Sequence, residues 1–212
     1  MKTLIIVAHP SLETSVINKR WVEELKKYPE KYTVHELSDV YPDGNIDAEK
    51  EQKLVEAHGN LVFQFPIYWF NCPPLLKKWL DDVLAYGCAY GSNGGDRLKN
   101  RKVALGVSAG IKEEDYGENG RYRYTLEQIL VPFETTFRYC HADYRSFFAF
   151  YGKENEPGGN EEEATGPGAG ELEKSARDYL RFIDNLKFCR KSFRLKQAVS
   201  PACFSLPTHT SY

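Results

Sequence analysis

The sequence predicts an α/β domain: a doubly wound, five-stranded parallel sheet, order 2-1-3-4-5, with helices on both faces. Two observations carry this expectation. Five short apolar stretches rich in β-branched or aromatic residues alternate with longer segments of helical period, the pattern of repeated βα units. The 212 residues also suit one such domain with short additions, since a chain of this size buries roughly 70% of its unfolded surface around a single core.

The strands are placed at Thr3–Ala8, Tyr32–Leu37, Leu61–Phe65, Lys102–Ser108 and Tyr144–Phe150. Ser15–Tyr28 reads as the first helix, with Val16, Trp21 and Leu25 facing inward and Pro29 just beyond its end. Asp47–His58 is a second, more polar helix. Pro73 and Pro74 open a third, Leu75–Tyr86, because the N–H groups of a first turn have no intrahelical partner for proline to remove. Its apolar side carries Leu76, Leu80, Val83 and Leu84. Tyr124–Tyr139 is the fourth, and Pro132 in its middle should kink it or split it in two. Glu171–Lys187 is the last, with Leu172, Ala176, Tyr179, Leu180, Ile183 and Leu186 on one side. Glu154–Gly170, with its Glu161-Glu162-Glu163 run, reads as a mobile loop or linker. The domain is therefore drawn over residues 1–187, followed by an irregular, mildly basic tail over 188–212.

Composition removes several classes of function. With 42% hydrophobic and 27% charged residues and a net charge of -2, the chain is globular and not basic enough to bind nucleic acid. Cys72, Cys88, Cys140, Cys189 and Cys203 form no C-x-x-C pair and have no histidine at ligand spacing, so no metal site is expected and reduced, cytoplasmic thiols are. The apolar run Leu4–Ala8 is too short for a signal segment or a membrane span. No G-x-G-x-x-G follows a strand, and P-loop, zincin and G-x-S-x-G signatures are missing.

Ligands of doubly wound sheets sit at the carboxyl ends of the strands, and three of those ends are chemically unusual here. The first runs into Ala8-His9-Pro10 and then Ser15-Val16-Ile17-Asn18 at a helix start, where outward N–H groups and two polar side chains suit a phosphate. An ordinary N-cap by Thr14 or Ser15 accounts for the same residues equally well, and His9 either lies over a ligand or caps the strand. The third delivers Pro66-Ile67-Tyr68-Trp69-Phe70, aromatic residues that either line a flat pocket or fill core. The fourth ends in Ser108-Ala109-Gly110, small residues that let a ligand approach the backbone.

Together these segments resemble the NAD(P)H:quinone oxidoreductase family of flavodoxin-like proteins. The resemblance rests on Val7–Pro10 with Ser15–Asn18, on Phe63–Trp69 with Pro73–Asp81, and on Gly87-Cys88-Ala89-Tyr90-Gly91, and runs to about Gly152. It is similar above all to bacterial general-stress-type quinone reductases and to ancillary flavoproteins of glutathione-gated potassium efflux. The resemblance implies FMN, with FAD as the alternative, and NADPH or NADH as co-substrate. His9, Ser15, Val16, Ile17 and Asn18 would hold the flavin phosphate and ribityl chain; Pro66, Ile67, Tyr68, Trp69 and Phe70 would border the ring. Where the family has Thr-Thr-Gly-Gly against the ring edge, this chain has Ser108, Ala109, Gly110 and Ile111. Tyr116 matches a family tyrosine beside the flavin and is the catalytic candidate, unless it is merely an exposed loop residue next to Glu113, Glu114 and Asp115.

The implied activity is hydride transfer from NAD(P)H to a quinone by ping-pong kinetics in a homodimer. The competing reading is a flavin- or nucleotide-binding regulatory subunit of a potassium-efflux transporter. An electron-carrier flavodoxin fits less well, since such carriers are usually more acidic than -2 and lack the aromatic-proline-helix segment.

Overall fold

The structure, a computed structural model, describes residues 1–92, 94–152 and 167–186. Most of the expected Glu154–Gly170 loop, Lys187 and the tail from 188 lie outside the described residues. Five strands, β1 (Thr3–Val7), β2 (Tyr32–Glu36), β3 (Asn60–Pro66), β4 (Lys102–Ala109) and β5 (Asp143–Tyr151), form one all-parallel sheet in the order β2-β1-β3-β4-β5. This is the expected topology.

The three inner strands, β1, β3 and β4, are buried on both faces, which is why they read as continuous apolar runs, while the edge strands β2 and β5 are mostly half-buried. Leu4, Ile6, Leu61, Phe63, Phe65, Val103 and Leu105 point into one core layer, and Ile5, Val7, Val62 and Ala104 into the other. The first layer is closed by α3 (Ala48–Glu56), α4 (Pro74–Val83) and α5 (Leu126–Tyr139); the second by α1 (Ile17–Lys26) and α6 (Ala169–Asn185). A four-residue helix, α2 (Leu37–Val40), follows β2. Most aromatic residues fill these layers: Phe63 stacks on Phe137 with ring centroids 4.9 Å apart, and Trp21 on Tyr179 at 4.4 Å. Gly106 of β4 is required by this packing, because a Cβ there would collide with the Tyr179 ring.

Two expectations are corrected. Val16 does not face inward: α1 begins one residue later than Val16, which remains 38% exposed, while Trp21 and Leu25 are fully buried. Pro132 does not split α5, which is one helix from Leu126 to Tyr139. Pro132 lies on its exposed side, where the Gln128 carbonyl that loses its partner can be hydrated. A reciprocal capping box between Thr125 and Gln128 starts this helix. The apolar side of α4 is buried as expected, and its outer face carries the ion pairs Lys77–Asp81 and Lys78–Asp82. Exposed pairs of this kind contribute only about 0.3–0.5 kcal/mol each, so their role is solvation of the face.

Candidate functional site

The strand order places β1 between β2 and β3, so the chain leaves β1 toward one side and β3 toward the other, opening a crevice at their carboxyl ends. Register brings the predicted segments to that edge together: Val7 pairs with Gln64, Pro66 with Ser108, and Ile67 N–H donates to the Ser108 carbonyl at 2.8 Å.

After β1, the chain makes one 3₁₀ turn, Leu12–Thr14, before α1. Ser15 Oγ accepts from Asn18 N–H at 3.1 Å, so the ordinary capping role is filled by Ser15 and not by Thr14. The Ser15 hydroxyl retains its own proton for a further acceptor. His9 Nδ1 accepts from Ser11 N–H at 3.1 Å, and Ser38 Oγ donates to the His9 carbonyl at 2.7 Å. Burial holds the His9 imidazole below its ordinary pKa despite the opposing Ser11 bond, so at neutral pH the ring carries its proton on Nε2. That nitrogen is buried and has no partner among the described residues. A buried donor left without an acceptor costs about 1–3 kcal/mol. An anion at the turn would satisfy it together with the first-turn N–H groups at Val16 and Ile17.

Asn18 is placed differently from the rest. It is fully buried, donates from Nδ2 to Ser108 Oγ at 2.8 Å, and accepts from Gln64 Nε2 at both its backbone oxygen and Oδ1, at 3.1 and 3.3 Å. It braces α1 against β3 and β4 beneath the crevice instead of facing it. Gln64 escaped the sequence reading, although the signal was there: a fully polar side chain interrupting the apolar run Leu61–Phe65. Ser38 left no comparable signal, being one serine in a polar segment.

Beyond β3 the aromatic residues divide. Phe63 and Phe65 are core, whereas Tyr68, Trp69 and Phe70 form an exposed tip. Tyr68 and Asn71 exchange backbone hydrogen bonds at 2.9 Å, and the two residues between them, Trp69 and Phe70, have φ of 49° and 58°. Two bulky side chains in left-handed backbone cost roughly 1–2 kcal/mol each, and such strain concentrates at ligand sites. Trp69 is 94% exposed, while Phe70 turns back to lie 5.0 Å from the Tyr122 ring.

At the end of β4, Ser108 and Ala109 are buried, so only Gly110 and Ile111 reach the surface. A Cβ on Gly110 would meet no protein atom within 4 Å, and Gly110 is not among the positive-φ glycines. Nothing among the described residues demands glycine there; the open space suits a ligand against the backbone. A second 3₁₀ turn, Glu113–Asp115, then leads to Tyr116. Tyr116 is no exposed loop residue: its hydroxyl is buried, and the ring lies 5.7 Å from Tyr151 and 6.0 Å from Tyr122. Burial pushes its pKa up, with smaller contributions from Tyr122 and Asp115, and the hydroxyl has no partner among the described residues.

Among the described residues no cluster of His, Cys, Asp or Glu could hold a metal, and no helix is long and apolar enough to cross a membrane. Cys72, Cys88 and Cys140 are free and buried; burial pushes the Cys72 thiol up to about 11, far from a reactive thiolate.

A parallel 2-1-3-4-5 sheet with its crevice between β1 and β3 defines a flavodoxin-like fold, and the family model of that description matches residues 1–167. The chain belongs to this family, within the group that includes the NAD(P)H oxidoreductases and general stress protein 14. It is 47% identical over 152 residues to the uncharacterized NAD(P)H oxidoreductase YrkL of Bacillus subtilis, covering 72% of this chain and 86% of that protein. It is 42% identical over 140 residues to the glutathione-regulated potassium-efflux ancillary protein KefG of Yersinia pestis, covering 66% and 76%. The crystal structure of general stress protein 14 from Treponema denticola in complex with FMN is 50% identical and superposes with a TM-score of 0.79 over 88% of this chain and 99% of that one.

Proposed function

We propose that the protein is an FMN-dependent NAD(P)H oxidoreductase that passes reducing equivalents to a quinone-type acceptor. The observation that carries this reading is the buried, unpartnered His9 Nε2–H at the β1–α1 turn, a donor that the fold leaves ready for a phosphate. The FMN complex of the relative from Treponema denticola supports the choice of FMN over FAD. When bound, the flavin supplies the capacity to accept a hydride from a nicotinamide and to return it to a quinone.

The protein's part is positioning. His9, the Ser15 hydroxyl and the N–H groups of Val16 and Ile17 hold the phosphate; Asn18 acts from below, through Ser108 and Gln64. Pro66, Ile67, Tyr68, Trp69 and Phe70 would border one side of the ring, and the exposed end of the Ser108-Ala109-Gly110-Ile111 segment, the backbone at Gly110 and Ile111, would meet its edge. One shared pocket for NADPH or NADH and for the acceptor implies alternating occupancy and hence ping-pong kinetics. Tyr116 is the residue assigned to donate a hydrogen bond toward the reduced acceptor. Tyr116→Phe is expected to slow flavin reoxidation by a quinone about tenfold to a thousandfold, the range for one positioned donor in a shielded site. Stopped-flow reoxidation at unchanged flavin content checks this, and a parental rate would remove Tyr116 from the mechanism.

The KefG relative supports one further reading, a regulatory subunit that binds flavin or nucleotide and signals to a transporter. NADPH oxidation with a simple quinone decides: turnover above that of free flavin supports the enzyme, and its absence with flavin bound supports the regulator.

Assembly follows from the same surface. At the tip of the site Trp69 is 94% exposed, and Tyr68 and Phe70 are 38% exposed each. Exposed aromatic surface next to a site favours a homodimer in which each pocket is lined partly by the neighbour. Sedimentation at micromolar concentration is expected to give a dimer; a fully active monomer contradicts it.

A further inference from the structure

The loop between Tyr116 and α5 contributes a residue that the reaction described above does not yet use. It is a closed excursion: Gly117 N–H donates to the Tyr124 carbonyl at 2.9 Å, and Tyr122 N–H to the Asp115 carbonyl at 3.1 Å. The two bonds close both ends of the loop and present Tyr122 inward as a half-buried ring. That ring meets two segments far apart in sequence. On one side is Phe70 of the strained hairpin at 5.0 Å, on the other Tyr116 at 6.0 Å. Arg121 lies over the Tyr122 face, its guanidinium carbon 5.7 Å from the centroid. Tyr151, the other ring beside Tyr116, is fixed on β5 by strand pairing, so Tyr122 is the loop-borne ring of the pair.

We propose that Tyr122 is a positioning residue of the site. Its ring spans from the Tyr68–Asn71 hairpin to Tyr116, holds both walls in one arrangement, and limits the size of the planar acceptor admitted between them. The reason is geometric. Two tilted aromatic contacts, each worth about 0.5–1.5 kcal/mol beyond area burial, offset part of the cost of keeping Trp69 and Phe70 in left-handed backbone. Without the ring, Phe70 loses its partner across the site, the hairpin relaxes, and the space beside Tyr116 widens. The ring does this work, so the phenol oxygen of Tyr122 is dispensable. This inference rests on reading the strand-end crevice as a flavin site.

The test uses the full chain with Tyr122→Ala and Tyr122→Phe. On oxidised, FMN-loaded protein without NADPH, flavin absorbance changes give the affinities for a one-ring and a three-ring quinone. Tyr122→Ala is expected to shift their ratio toward the three-ring compound by about fivefold or more, the scale of one pocket side chain, and Tyr122→Phe to keep the parental ratio. The second readout needs no flavin. Of the three tryptophans, Trp21 and Trp79 are fully buried and Trp69 is exposed, so emission corrected with a Trp69→Phe background reports the hairpin alone. Its fast anisotropy decay is expected to grow in Tyr122→Ala and not in Tyr122→Phe. A Tyr122→Ala protein with parental ratio and parental anisotropy overturns the proposal, as does Tyr122→Phe behaving like Tyr122→Ala. Failure of the parent to retain FMN would instead overturn the flavin reading, while the anisotropy comparison would still decide what Tyr122 holds.

Discussion

Ser15→Asp is expected to leave the protein folded and to lower its affinity for FMN about 100- to 1000-fold. The fold should survive because Ser15 Oγ accepts from Asn18 N–H, and an aspartate oxygen caps the same donor as well as a serine does. The flavin phosphate should not, because the new carboxylate would stand at the helix start proposed to receive it. Two unit charges roughly 4 Å apart at an effective dielectric of 20 repel by about 4 kcal/mol, close to three decades in affinity. Ser15→Ala separates charge from hydrogen bonding, since it removes one donor and adds no charge, and should cost about tenfold. Titration of FMN fluorescence against each variant, with urea unfolding as the control for folding, measures both effects. Undiminished FMN affinity in Ser15→Asp would remove the phosphate from the β1–α1 turn.

Glu51→Ala should be the most damaging single change to stability outside the apolar core, at about 3–5 kcal/mol. Glu51 is fully buried on α3, where its carboxylate accepts from His35 Nε2 at 2.9 Å, Tyr41 Oη at 2.8 Å and Trp79 Nε1 at 2.8 Å. It thereby ties β2, the segment after α2, and α4 to one point. Burial by itself would push the Glu51 carboxyl up, but the three donors together hold it below the usual glutamate range. The direction of the pH effect follows. A carboxyl whose folded pKa is lowered contributes stability that is present above its unfolded value, near 4.3, and that is lost as pH falls through the folded pKa. Urea unfolding from about pH 7 down to about pH 3 should therefore show the gap between parent and Glu51→Ala narrowing only in the acid range. A gap below about 1 kcal/mol at neutral pH would mean that His35, Tyr41 and Trp79 find other partners at little cost.

Topology was legible in the sequence because the inner strands of the sheet are buried on both faces. Leu4–Ala8, Leu61–Phe65 and Lys102–Ser108 stand out as apolar runs between helical segments, and the observed strand order matches that expected for such a chain. The edges of elements were less legible. Val16 looked like an inward helix position because the helical period was carried one residue ahead of the true start of α1. Pro132 looked like a break because sequence alone does not tell which side of a helix a proline occupies. Within the site, the three strand ends were found from residue type, but the division of labour was not. That Asn18 faces Ser108 and Gln64, or that Tyr122 reaches Phe70 across 52 positions of chain, depends on side-chain directions set by tertiary packing.

The pairing of α1 with α6 sets the order in which the molecule can be completed. Ile17, Trp21 and Leu25 of α1 share a core layer with Ala176, Tyr179 and Ile183 of α6, so the cover for the first helix is made long after the helix itself. At ribosomal speeds of about 5–20 residues per second, the chain between Lys26 and Asn185 takes roughly 8–30 s to synthesise. For that interval the Trp21 face of α1 and the sheet beside it lack the cover that α6 supplies. Chaperone capture during synthesis, and aggregation of fragments that stop before α6, should therefore centre on this face and not on the layer formed by α3, α4 and α5, which is closed before β5 emerges.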